Sequence, residues 1–500
     1  MAMKEELGLG EKFLEKKSDS DEIVEKEESL RKRVWEESKK IWRVAGPAIF
    51  TRFTSFGINV ITQAFIGRTI GSTELAAYAL VGTVLSRFVT GVLLGMASAL
   101  ETLCGQAYGA KQYSMLGVYL QRSWIVLFST TILLLPLYIF TTPILEAFGQ
   151  DKKIAQVAGT ISLWSIGAAF SMCVSFTCQT FLQAQSKNVI IAYLAAFSVS
   201  IHLFLSWLLT VKYQFGLSGA LTSLLLGVWL PNIGQLIFIM KKCPDTWKGF
   251  SILAFKDLWP VVKLSVSSGV MLCLEVWYST ILILLTGNMK DAEVALNSLS
   301  ICLNISGWEL MIALGFFAAA GVRVANELGR GSSRDAKFSI KISVLTSFAI
   351  GCIFFFVFLF LKERLAYIFT TNPDVADAVG DLSSLLAFSM LLNSVQPVLS
   401  GVSVGAGWQR IVAYVNIGCY YLIGIPVGVV IGVVLNFHVK GIWIGMLFGT
   451  FVQTIVLIII TLKTDWNKQV EIAQQRVNRW ATVDNQESND SGTSLLANQE

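Results

Sequence analysis

Charge is scarce in this 500-residue sequence: Asp, Glu, Lys and Arg together supply 15% of it. A soluble domain carries roughly 25%. So few ionisable groups cannot clothe a water-facing surface of this size, which excludes a cytosolic enzyme, a nucleic-acid-binding protein and a secreted scaffold. Histidine is nearly absent, with His202 and His438 the only two, so a His-based metal centre or catalytic dyad has no material. The eight cysteines stand singly, mostly inside apolar runs and without a CxxC pair. They read as small buried hydrophobes rather than a zinc or disulfide framework. The opening residues lack an apolar h-region, so no cleavable signal peptide is expected. Walker-loop, HExxH, GxSxG and Asp-rich diphosphate motifs are missing too, which argues against an enzyme or a carrier driven by ATP on the same chain. No cofactor is expected.

Hydrophobic residues are abundant, at 54%. A bilayer-spanning helix needs about 20 mostly apolar residues, and twelve runs meet that criterion: 44–66, 75–100, 117–141, 154–178, 189–210, 217–240, 258–285, 293–320, 338–361, 376–401, 411–434 and 441–462. The first and tenth are the most polar. The expectation is an all-α integral membrane protein whose surroundings are lipid. Residues 1–40 form an N-terminal tail and 465–500 a C-terminal one, with 1–29 and 482–500 too polar to offset their chain entropy by burial. Lys and Arg near the span ends number 24 on the side of the termini against 8 on the other. Positive charge favours the cytosolic side, so both termini are expected there.

Two short segments repeat. Leu103-Cys-Gly-Gln-Ala-Tyr-Gly109 returns as Val324-Ala-Asn-Glu-Leu-Gly329, and Gly216-Leu-Ser-Gly-Ala returns as Gly441-Ile-Trp-Ile-Gly-Met, at shifts of 220 and 225. Twelve runs therefore divide into two pseudo-symmetric six-helix lobes, 41–242 and 258–464, joined by a cytosolic linker at 243–257. Paired repeats of this kind commonly hold a substrate between them.

Charges inside a span are costly and mark candidate sites. Glu275 sits mid-span in Met-Leu-Cys-Leu-Glu-Val-Trp-Tyr, with Ser268 and Ser279 on its helical face. An isolated carboxylate there can bind and release protons, or can be a structural acid that is neutral or paired with an arginine. Glu309 closes the stripe Ser298–Cys302–Ser306–Glu309. Arg52 and Arg87 can snorkel, pair with acids or contact substrate. Uncharged stripes run along the first run (Ser55, Asn59, Thr62, Gln63), the fourth (Ser171, Ser175, Gln179, Gln183) and the tenth (Ser389, Asn393, Gln396, Ser400, Ser403). They fit a cavity between or within the lobes; the alternative is hydrogen bonding between helices. Prolines 47, 136, 231, 260, 397 and 426 fall in or beside spans and permit bends.

Several ordered motifs resemble plant members of the multidrug and toxic compound extrusion (MATE) family, the DETOXIFICATION group. They are Trp42-Arg-Val-Ala-Gly-Pro47, Ala99-Leu-Glu-Thr-Leu-Cys-Gly-Gln-Ala-Tyr-Gly-Ala110, Tyr119-Leu-Gln-Arg-Ser-Trp124, Cys273-Leu-Glu-Val-Trp277, Arg323-Val-Ala-Asn-Glu-Leu-Gly329, Val395-Gln-Pro-Val-Leu-Ser-Gly401 and Gly405-Ala-Gly-Trp-Gln409. The resemblance, over about residues 34–480, implies two six-helix lobes in a V and export of organic solutes in exchange for protons. It implies a proton-linked role for Glu275. Some relatives add an Asp in the tenth helix, where this chain has Asn393, which cannot titrate; bacterial relatives use an Asp in the first helix, where this chain has no acid. The expected partners are a small organic substrate, protons and the bilayer, with no nucleic acid, and the chain is expected to act as a monomer. The plasma membrane and the vacuolar membrane both fit. An anion or small-solute channel on the same scaffold is the alternative, and a lipid or prenyl transferase is disfavoured by the missing motifs.

Overall fold

The computed structural model describes residues 2–287, 292–361 and 373–479 together with Arg364 and Tyr367, and leaves out the side chains of 2–28, 279, 282–297, 299, 300, 303 and 374. The described chain is helical almost throughout. With no water in a bilayer core, each backbone N–H and C=O must be satisfied within its own segment, which a helix does. We number the helices α1 (Ala2–Thr69), α2 (Ser72–Gly109), α3 (Tyr113–Ile139), α4 (Lys152–Ala184), α5 (Val189–Lys212), α6 (Gly216–Lys242), α7 (Trp259–Gly287), α8 (Ala292–Arg330), α9 (Ser333–Leu361), α10 (Pro373–Ala406), α11 (Gln409–Val434), α12 (His438–Lys463) and α13 (466–479).

Eleven of the described helices, α2 to α12, are long and apolar enough to cross a membrane. The remaining expected run, 44–66, lies in the distal part of α1. Its polar stripe and Arg52 dilute its hydropathy, yet Ile41, Val44 and Ala45 are fully buried against Phe316, Ala319 and Ala320 of α8. The polar N-terminal stretch 1–29 is expected to lack fixed structure; α1 includes all of it but the first residue, with the side chains of 2–28 outside the described residues, as is the whole of 480–500. Stretches of π-helix interrupt α2 at Val81–Ser86, α5 at Trp207–Lys212 and α11 at Ile417–Gly424 and Val430–Val434. Such widened turns recur at functional sites.

One lobe packs α2, α3 and α4 around Leu93, Leu100, Tyr119 and Phe181. The other packs α8, α10 and α12 around Cys302, Val379, Met390 and Ile442. All eight cysteines are free, and seven are buried, as small hydrophobes would be. His202 is fully buried between helices: its Nδ1 donates to the Ser223 carbonyl (3.0 Å), and its Nε2 is 3.1 Å from the Thr62 hydroxyl. This satisfied ring ties α5 to α6 and α1.

The two copies of the repeat meet face to face. Gly109 lies against the carbonyl of Asn326, and Gly329 lies against that of Gln106. Shifting each number by 220 converts one contact into the other, so this is a reciprocal pair across a pseudo-twofold axis. A methyl on Gly105 would come 2.5 Å from Cβ of Ala325. Around this seam Thr102 Oγ1 donates to the Val404 carbonyl (2.5 Å), Gln106 Nε2 to that of Gly405 (3.0 Å) and Asn326 Nδ2 to that of Ala184 (3.2 Å). The lobes are thus closed at the end of the bundle that carries the linker and α13. Contact continues part-way toward the other end, through Gly95 against Gly269, Phe88 stacked on Trp277 (5.5 Å) and Phe53 stacked on Trp308 (5.3 Å).

Two appendages cross the closed seam. The extension of α1 reaches over the second lobe, where Arg323 donates to both oxygens of Glu37 at 2.8 and 3.0 Å and to Glu327 at 2.6 Å. Helix α13 returns the other way. Its Trp466, Val470 and Ala473 are buried beside Trp408, while Arg476 donates to Gln106 of α2 at 2.8 Å.

Candidate functional site

Glu275 is partly buried in the second lobe, with donors converging on it from two neighbouring helices. Its Oε1 accepts from Gln396 Nε2 (3.2 Å) and Ser400 Oγ (3.3 Å) of α10 and from Asn416 Nδ2 (3.3 Å) of α11. A further layer stands behind these. Gln453 of α12 donates to Asn416 Oδ1 at 2.7 Å, and Tyr420 donates its hydroxyl to Gln453 Oε1 at 2.5 Å. Tyr420 in turn stacks on Tyr278, one turn beyond Glu275, at 4.3 Å. Gln396, Ser400, Asn416 and Gln453 are all buried. Four helices therefore share one polar network around a single carboxylate.

The network has a chemical bias. A carboxylate only accepts, whereas a carboxylic acid also carries a proton that needs an acceptor. Every contact Oε1 makes is from an N–H or O–H aimed at it. The amide oxygen of Asn416 already receives Gln453. Adding a proton to Glu275 removes the charge that strengthens these three hydrogen bonds, since a bond to an ionised acceptor is roughly twice as strong as a neutral one.

The other expected positions distribute differently. Asn393 stands beside Glu309, which is buried on α8 with its Oε2 unpartnered among the described residues. The tenth-run stripe thus faces helices: Ser389 accepts from Trp443 (3.1 Å), Asn393 meets α8, and Gln396 and Ser400 meet α7. Ser268 is fully buried with no partner for its hydroxyl among the described residues, where α7 passes Gly95. The side chain of Ser279 lies outside the described residues. In the first lobe Asn59 and Gln63 are exposed, Asn59 accepting from the Tyr78 hydroxyl at 3.3 Å, and Gln179 donates to Ser175 at 2.7 Å. None of these three joins the Glu275 network.

Four residues of consequence escape the sequence reading. Asn416, Tyr420 and Gln453 each interrupt a strongly apolar run, and an isolated amide there signals a buried partner. Glu101 falls just past the edge of the second apolar run, but α2 continues to Gly109, so this acid is interior. It is buried against Gly321, and Arg52 is the cation it interacts with.

The MatE family matches residues 47–208 and again 268–430. The two matched stretches begin 221 residues apart and end 222 apart, nearly the same displacement as the reciprocal glycine contacts. The chain belongs to the MatE family. It is 63% identical over 467 residues to Protein DETOXIFICATION 21 of Arabidopsis thaliana, covering 93% of this chain and 94% of the relative. Protein DETOXIFICATION 20 of the same plant is 60% identical over 466 residues, covering 93% and 95%. Among solved structures, the eukaryotic MATE transporter AtDTX14 superposes with a TM-score of 0.82 at 32% identity, covering 89% of this chain and 99% of that one. The Vibrio cholerae MATE transporter VcmN in its bent form superposes at 0.76 with 14% identity over 89% and 99%, which is a likeness of fold. As a MATE protein the chain is a multi-pass membrane transporter of small organic solutes and not an enzyme. Its two-lobed all-helical architecture is the MATE fold.

Proposed function

We propose that this transporter is a proton-coupled antiporter that exports organic solutes from the cytosol by alternating access, and that Glu275 is its coupling residue. The observation that carries the reading is the convergence of Gln396, Ser400 and Asn416 on one oxygen of Glu275. Those three groups bind the ionised form more strongly than the protonated one, so proton binding shifts the balance between two arrangements of α7, α10 and α11. A ligand moves such an equilibrium only by its differential affinity for the two states. Here the proton supplies that difference through hydrogen bonds already built around the acid.

In this reading both termini face the cytosol, so the closed seam is the cytosolic side. Solute leaves toward the acidic side, which at the plasma membrane is the exterior and at the vacuolar membrane is the lumen. A single chain suffices, since the acid and its whole donor set lie within one lobe. The test is uptake of a fluorescent organic solute into inside-out vesicles under an imposed pH gradient, comparing the wild type with Glu275→Gln. Gradient-driven uptake that vanishes in the variant supports the proposal. Uptake that persists in the variant moves the coupling elsewhere, and uptake indifferent to the gradient turns the reading toward a channel.

A further inference from the structure

The arginines of the first two spans, Arg52 and Arg87, differ in one respect. Arg52 interacts with Glu101 at the seam. Arg87 is exposed, and no hydrogen bond, ion pair or ring contact engages it among the described residues. A guanidinium inside a span is costly unless something answers it. What faces Arg87 is settled by its neighbours on α2. Thr90 donates to Met172 of α4 (3.5 Å), and Gly91 meets Val276 of α7 across the lobe boundary. Arg87 stands one turn before both. At 100° per residue its direction falls between theirs, about 60° from the first and about 40° from the second. It therefore projects into the wedge between α4 of one lobe and α7 of the other, next to Phe88, which stacks on Trp277 at 5.5 Å.

We infer that Arg87 is a substrate-binding residue that receives the anionic group of an aromatic organic acid or acidic conjugate in the cleft. A guanidinium offers paired N–H donors that match a carboxylate, sulfate or phosphate edge. Phe88 and Trp277 provide an aromatic floor against which a ring can lie. The adjacent π-turn Val81–Ser86 is the local device that places Arg87: a widened turn re-aims the side chains after it, and without it the residues beyond 86 would hold a different register against α7. The inference deepens the antiporter reading by naming a solute class. It relies on that reading only for the direction of transport, not for binding.

The experiment is equilibrium binding to the purified full-length chain in liposomes at one pH on both sides, so that no gradient is involved. The probes are a fluorescent coumarin glucuronide and the cation ethidium. Arg87→Gln is expected to weaken glucuronide binding roughly tenfold or more, the loss of one charged hydrogen-bonding partner, and to tighten ethidium. Arg87→Lys is expected to keep a large part of the glucuronide affinity. Unchanged glucuronide binding in Arg87→Gln overturns the inference. So does a wild type that fails to bind the glucuronide, or parallel loss of both probes in both variants. Failure of the antiporter reading would emerge elsewhere, as glucuronide bound through Arg87 but carried without regard to an imposed pH gradient.

Discussion

Arg323 closes on Glu37 with two hydrogen bonds, of 2.8 and 3.0 Å, although the residues are 286 positions apart, Glu37 on the extension of α1 ahead of the first lobe and Arg323 in the second lobe. Both side chains are buried. The pair holds the extension of α1 across the seam, and Arg476 of α13 holds the opposite corner. Together they fasten the state in which the lobes meet at this end.

Breaking the pair from one side leaves the other charge buried and alone, which costs about 3 kcal/mol or more. Glu37→Gln and Arg323→Gln are each expected to lower the thermal midpoint of the detergent-solubilised protein and to loosen the seam. Spin labels placed on α1 and α9 would read the loosening as a broadened distance distribution. The double variant should cost less than the sum of the two singles.

The same pair has a defined pH window. Burial alone would raise the Glu37 carboxyl, but hydrogen bonding and charge from Arg323, with help from Ser339 and Lys40, hold it below the ordinary 4.5. A carboxyl lowered in the folded state stabilises above its unfolded value and loses that contribution as pH falls through the folded one. The fastening is therefore expected to be complete from about pH 5 upward, including the cytosolic range. Thermal melts should show the penalty of Glu37→Gln constant above about pH 5 and shrinking only below about 4.5.

Gly109 and Gly329 occupy equivalent places, so Gly109→Ala and Gly329→Ala should be equivalent injuries. Each puts a methyl into a backbone carbonyl of the opposing helix, and overpacking of this kind costs typically about 1–3 kcal/mol. Gly82→Ala is the control, since nothing lies within 4 Å of its new methyl. Thiol labelling of a cysteine introduced at the seam would report exposure in the first two variants and none in the third. Injury from one glycine alone would refute the reciprocity.

Gln453→Leu removes the donor to Asn416 and the acceptor for Tyr420 while leaving all three donors of Glu275 in place. The cost to stability is expected to be about 1–3 kcal/mol, that of buried groups left unpaired. Gradient-driven uptake should slow, because Asn416 is no longer held toward the acid. Glu309→Gln is expected to retain gradient-driven uptake, being outside the network. Loss of uptake in Glu309→Gln alongside retention in Glu275→Gln would exchange the roles of the two acids.

Much of the scaffold is legible in the sequence because membrane helices announce themselves by composition. Runs two to twelve correspond to α2 to α12, and the errors are at the ends, where α2, α4, α8 and α10 continue several residues past their apolar stretch. That continuation is why Glu101 reads as an edge residue and is interior. Glu275 stands out because a lone acid in an apolar run has few innocent explanations. Its surroundings do not stand out. Gln396 and Ser400 belong to a visible stripe, but whether a stripe faces water or a neighbouring helix depends on packing, and one chain's periodicity carries no information about which helix lies opposite. Asn416 and Gln453 come from different spans, so only the folded arrangement brings them together.

The reciprocal seating of Gly109 and Gly329 also fixes how motion in this molecule scales. Because the closest approach of the lobes sits at one edge of the bundle, a change of angle there acts as a lever. A tilt of about 10° about that fulcrum displaces the opposite edge, ~30 Å of hydrocarbon away, by roughly 5 Å. A slight adjustment among glycine backbones at one face is thereby enough to open or shut a passage of molecular width at the other.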